Sequence, residues 1–133
     1  TLFPYTTLFR SLVMTEFVLR LPASREGTAS VELHHTGAVW RTGIRCRQRS
    51  GDPALQALLQ PHGALLQALM PLDFNRLRID LQARQWCVRL EHMGGSEVIN
   101  RMPAFRRYIP LSPDQRSGLL ATLLHFQRLL AAL

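Results

Sequence analysis

Lysine is absent from this chain of 133 residues; all sixteen of its Lys-or-Arg cations are arginine, against nine carboxylates. The formal net charge is +7, and it falls by one if Arg10 is set aside. A total lack of Lys reflects GC-rich codon usage as much as function, which weakens the step from a basic chain to a nucleic-acid partner, although the charge itself acts physically. Cysteine is scarce too. Cys46 and Cys87 stand far apart, in no CxxC and in no Cys/His ligand spacing, so a disulfide framework and a zinc knuckle are excluded. The two thiols read as reduced, in a cytoplasmic protein, with a single disulfide as the alternative. No apolar run reaches the length of a membrane-spanning helix. HExxH, GxSxG, a Walker loop and GxGxxG are all missing, which removes the common metal, hydrolase and nucleotide signatures.

The first eleven residues, TLFPYTTLFRS, lack any regular apolar period, and Pro4 interrupts them. They also fail as a secretory signal, because the only charge, Arg10, comes late. At every position they match the in-frame translation of a common short-read sequencing adapter. Thr1–Ser11 is therefore set aside as adapter-derived, and 12–133 is expected to be a single α+β domain truncated at its N-terminus. Met14 is then either a start or an internal residue of a longer protein.

The remaining pattern is strands followed by a helix, twice. Thr15–Leu21, Thr28–His35 and Ala38–Gln48 alternate as half-buried strands. Phe17, Leu19 and Leu21 face inward in the first, Ala29, Val31 and Leu33 in the second, and Trp40, Ile44 and Cys46 in the third. The period then changes, with Asp52 as helix cap and Pro53 at the first helical position. Leu55, Leu58, Leu59, His62, Leu65, Leu66, Leu69 and Met70 hold one phase through Pro61, which predicts one kinked helix or two short ones broken at 61–63. The second half alternates through Arg76–Leu81 and Trp86–Glu91 as a hairpin. The Gly94–Gly95 pair is expected to break that strand, with Ser96 capping a single helical turn, before a short last strand in AFRRYIPL. Ser112, Pro113 and Gln115 read as a capping box ahead of a final helix whose wide apolar face includes Leu119, Leu120, Leu123, Leu124, Phe126 and Leu130.

Two groups of residues have the chemistry for function. Arg41, Arg45, Arg47, Arg76, Arg78 and Arg89, with Arg20, fall on the outward phase of the strands, opposed by Glu16, Glu32, Asp80 and Glu91. Guanidinium groups so placed suit phosphate or carboxylate; the competing reading is a solvated face laced with cross-strand ion pairs. Exposed aromatics for base stacking are missing from this face, so base-specific recognition is not expected. The second group is His92, Glu97, Arg106 and Arg107, around the glycine pair, where acid/base chemistry beside an anion clamp would need them to converge. The competing reading makes His92 an inward strand residue in an ordinary turn. His34 and His35 point to opposite faces, and neither a metal site nor a cofactor is expected.

The stretch Glu91–Arg116, EHMGGSEVINRMPAFRRYIPLSPDQR, resembles the C-terminal part of a family from GC-rich proteobacteria designated domain of unknown function 3156. The resemblance covers roughly a fifth of the chain. It implies a bacterial protein whose relatives begin further upstream, and it attaches no activity or catalytic residue. The fold expected is an antiparallel sheet of about six strands with the middle helix and the C-terminal helix on one face. The function expected is a non-enzymatic binding or accessory module with weak anion affinity. An enzyme acting on a small anionic substrate and a sequence-independent nucleic-acid binder are the alternatives.

Overall fold

The structure, a computed structural model, describes residues 10–37, 39–101 and 104–133, and the side chains of 15–37, 39–92 and 110–133. Its strands are β1 (Arg10–Pro22), β2 (Ala29–Thr36), β3 (Gly43–Ser50), β4 (Phe74–Gln82), β5 (Gln85–Arg101) and β6 (Ala104–Ile109). Its helices are α1 (Ala54–Leu59), α2 (Gly63–Leu69) and α3 (Pro113–Ala131).

Every pairing is antiparallel. Strands β1-β5-β4-β2-β3 lie side by side, and β6 pairs only with the far half of β5, on the side that β4 occupies further back. The sheet is thus five strands wide rather than six, because the last strand lengthens the sheet instead of widening it. The α+β class stands as expected.

Alternation places one face of the sheet in the core. Val31, Leu33, Leu77, Ile79, Trp86, Val88 and Leu90 are buried there against Leu55, Leu59, Leu69, Leu119, Phe126 and Leu130 of the helices. Burial on this scale, about 1.5–3 kcal/mol for each large side chain, drives the layering. Cys46 points into this core from β3, and burial pushes its thiol up to about 11. Cys87 points to the other face from β5, three strand positions away, so the two cannot form a disulfide.

The middle segment is two helices rather than one kinked helix. Gln60 turns extended with ψ 119°, and Pro61 follows it. Asp52 accepts the Ala54 N–H at 3.0 Å ahead of α1, the capping its position predicts, although Pro53 occupies the N-cap position itself. In α3 the Ser112 hydroxyl accepts the Gln115 N–H at 3.2 Å, which forms half of the expected capping box. The other half is not made: the Gln115 amide reaches instead to Pro71 O at 2.7 Å, the Asp73 N–H at 2.8 Å and His92 Nε2 at 2.8 Å. Leu120 and Leu124, expected in the buried stripe of α3, are exposed; Leu119, Thr122, Phe126 and Leu130, at spacings of three and four, form it.

Candidate anion-binding face

The helices cover one side of the sheet, and the arginines take the other. Register fixes their neighbours. Across the middle from β1 to β3 run Val18, Arg89, Arg78, Glu32 and Arg47, each opposite the next. On one side of that row lie Arg20, Cys87, Asp80 and Ser30; on the other, Glu16, Glu91 and Arg76, with His34 opposite Arg45. A register shift between Ser30 and Val31 brings in Arg49, a residue that alternation up to Gln48 passes over.

Among the described residues three carboxylates of this face are engaged, Glu91 by Asn75 Nδ2 at 3.4 Å. Glu32 is only 6% exposed, and its oxygens take Arg49 Nη1 at 2.9 Å and His34 Nε2 at 3.3 Å. Arg78 Nε donates to Asp80 Oδ1 at 3.1 Å and to Ser30 Oγ at 3.2 Å. Among the described residues, no ion pair or side-chain hydrogen bond engages Arg20, Arg45, Arg47, Arg76 or Arg89. All five are exposed. Arg47 lies opposite a glutamate whose oxygens already have partners, and Arg89 lies opposite Arg78, a like-charge pair that opposes itself across the strands. The face is concave at two places: a depression of about 550 Å³ lined by Arg20, Arg78, Arg89, Ser30 and Asp80, and one of about 360 Å³ beside His34, Arg45 and Arg47.

Arg41 does not join this face. The expected strand over 38–48 begins only at Gly43, and Arg41 sits in the preceding loop, where it donates to Met70 O at 3.0 Å and to the Asp73 carboxylate. Gly37 is the cause: its φ of +97° turns the chain so tightly that a β-carbon there would meet Trp40 O at 1.9 Å. Trp40, expected inward, is accordingly 80% exposed in the same loop.

The backbone around the second predicted group differs from the turn expected there. β5 runs through Gly94 and Gly95 to Arg101, so neither a strand break nor a helical turn at Ser96 occurs. His92 is an inward strand residue, buried, and bonded to Gln115. By backbone register Glu97 lies opposite Tyr108, Val98 opposite Arg107 and Ile99 opposite Arg106 in the β5–β6 pair; the side chains of Glu97, Arg106 and Arg107 lie outside the described residues. His35 points inward as expected, with Nε2 2.8 Å from Leu72 O and its ring stacked on Phe74 at 4.3 Å between centroids. Among the described residues no group of three or more His, Cys, Asp or Glu is placed to hold a metal ion. No helix there is long and apolar enough to cross a membrane.

Sequence reasoning placed Gln115 in a capping box and missed its contacts to Pro71, Asp73 and His92, and it missed Gln56 and Gln60 altogether. Gln56 Nε2 donates to Cys46 O at 3.1 Å, while Gln60 takes the Cys46 N–H at 3.2 Å and donates to Ile44 O at 2.8 Å. The sole sequence signal of Gln56 and Gln60 is their i, i+4 spacing, from within α1 to its C-cap.

An antiparallel sheet with helices on one side and an open basic side defines an α+β protein with an exposed sheet platform. A family model described as protein of unknown function (DUF3156) matches residues 3–130, and the chain belongs to that family. No curated protein and no solved structure matches it.

Proposed function

We propose that the chain is a binding or accessory module whose open sheet face holds polyanions without regard to sequence. The observation that supports this most is the set of five exposed guanidinium groups, Arg20, Arg45, Arg47, Arg76 and Arg89, which have no carboxylate partner among the described residues. A face laced with ion pairs would have used them, and bridging phosphates would relieve the opposition of Arg78 and Arg89. Among the strand residues whose side chains are described, 15–92, no Phe, Tyr or Trp lies on the outward phase, which supports attraction without base stacking there. Two thiols on opposite sheet faces suit a reducing compartment, and a cytoplasmic setting is part of the proposal.

Retention on immobilised heparin and on mixed-sequence DNA tests it. The wild-type chain is expected to be retained at low ionic strength and to elute as salt rises. Replacing Arg45, Arg47 and Arg89 together by Gln abolishes most of the retention, while Arg41→Gln, which removes the contacts to Asp73 and Met70 O away from this face, leaves it unchanged. Absence of wild-type retention at low salt refutes the proposal.

A further inference from the structure

The two edges of the sheet are finished differently. At β3 the outward backbone groups of Ile44 and Cys46 are taken by Gln56 and Gln60, which removes the template that an edge strand offers another chain. At β1 no element among the described residues plays that part. The Ala23 N–H donates to Arg84 O at 2.8 Å, which directs the odd-numbered residues of this edge towards β5. By the alternation of an antiparallel ladder, the N–H and C=O groups of Glu16, Val18 and Arg20 point away from the sheet. Pro22, which has no N–H, falls in the same outward set, where a strand proline loses no ladder bond.

The side chains of this edge are also incompletely covered. Phe17, Leu19 and Leu21 face the core but are only partly buried, whereas Val88, Leu90, Leu77 and Ile79 on the inner strands are fully buried. Val18 on the open face is 41% exposed. α3, which packs on β1 and β5, leaves Leu120 and Leu124 exposed as well.

The sequence of the edge is complementary to itself. Antiparallel pairing with a second copy about Val18 sets Glu16 opposite Arg20, Val18 opposite Val18 and Phe17 opposite Leu19, and a twofold axis repeats each unlike pair. Slipping the register by two residues either way removes both charge pairs, and slipping it by four sets Glu16 against Glu16 or Arg20 against Arg20. A slip of one puts the apolar set on the wrong face. We infer that the chain forms a symmetric homodimer by β1-to-β1 pairing in the register centred on Val18. The sheet then continues across both protomers, with the two basic faces on the same side.

Sedimentation velocity from micromolar to millimolar protein tests this, with far-UV circular dichroism to confirm that each variant folds. The wild-type chain is expected to show a concentration-dependent monomer–dimer equilibrium. Glu16→Arg and Arg20→Glu, each made alone, turn two attractive pairs into repulsive ones and weaken the dimer by about tenfold or more. The double variant Glu16→Arg/Arg20→Glu restores the pairs and recovers most of the wild-type affinity. Val18→Pro, which removes an outward N–H and spares the pairing with β5, abolishes the dimer. A chain that stays monomeric throughout overturns the inference. So does a dimer indifferent to the single charge reversals, which would associate through another surface, or a monomer whose Val18 amide is protected from hydrogen exchange, in which a segment of the same chain covers the edge.

Discussion

Ile79 lies between Val31 and Val88 on the flanking strands and is 1% exposed, whereas its neighbour Arg78 turns to the open face and holds Asp80. Ile79→Ala is therefore expected to cost about 2–5 kcal/mol in urea denaturation, and Arg78→Ala less than about 1 kcal/mol, since that guanidinium is partly solvated. Equal costs contradict the assignment of faces. His35 provides a pH-dependent counterpart. Burial lowers its pKa from the ordinary 6.5, with Arg41 nearby acting in the same direction and the Leu72 carbonyl and Asp73 opposing. The unfolded chain then takes up this proton before the folded one does, so its effect on stability is nil well above pH 6.5 and becomes unfavourable as pH falls through that value. Denaturation curves across that range are expected to lose stability on acidification, and His35→Gln to flatten the loss. A wild-type stability that rises as pH falls through the range contradicts this.

At the scale of elements, the β4–β5 hairpin closes through Ala83 and Arg84, both in the left-handed region at φ 52° and 57°. Two-residue turns of this kind favour Asn-Gly, and residues with β-carbons resist them. The double substitution Ala83→Asn/Arg84→Gly is expected to stabilise the fold by about 1 kcal/mol and raise Tm by several degrees; a lower Tm contradicts the turn. The strands around this hairpin were legible because Leu77, Ile79, Leu81, Trp86, Val88 and Leu90 alternate without interruption, and a period of two has one physical meaning on a half-buried sheet. Elsewhere the same signal misled. Trp40 continues the phase of Ile44 and Cys46, yet the turn at Gly37 lifts it out of the strand, a backbone event that side-chain periodicity does not register. The glycines at 94 and 95 looked like a break because glycine weakens a strand. The strand survives them because, beyond the pair, β5 is bonded on both sides, to β1 and to β6. Gln115 and the glutamines of α1 act across long sequence separations, and a polar residue on a helix says nothing of which distant backbone it will satisfy.

For the whole molecule, the outward arginines could be identified from alternation, but their state of pairing could not. Whether Arg47 meets a free glutamate depends on the bulge that gives Glu32 to Arg49, and whether Arg41 belongs to the face depends on where β3 begins. The adapter origin of Thr1–Ser11 stands as a proposal: 1–9 lie outside the described residues, Arg10 and Ser11 open β1 opposite Asn100 and Ile99, and the family match begins at residue 3. Arginines of one sheet face that have no partner among the described residues are proposed to bind polyanions through charge alone. The salt dependence of binding to mixed-sequence DNA tests it most directly. A linear fall of log affinity with log salt is expected, indifferent to base composition, and its slope should shrink by roughly 0.7–0.9 for each of Arg45, Arg47 and Arg89 replaced by Gln that contacts a phosphate. A slope that those replacements leave unchanged, or no binding at low salt, would contradict the account.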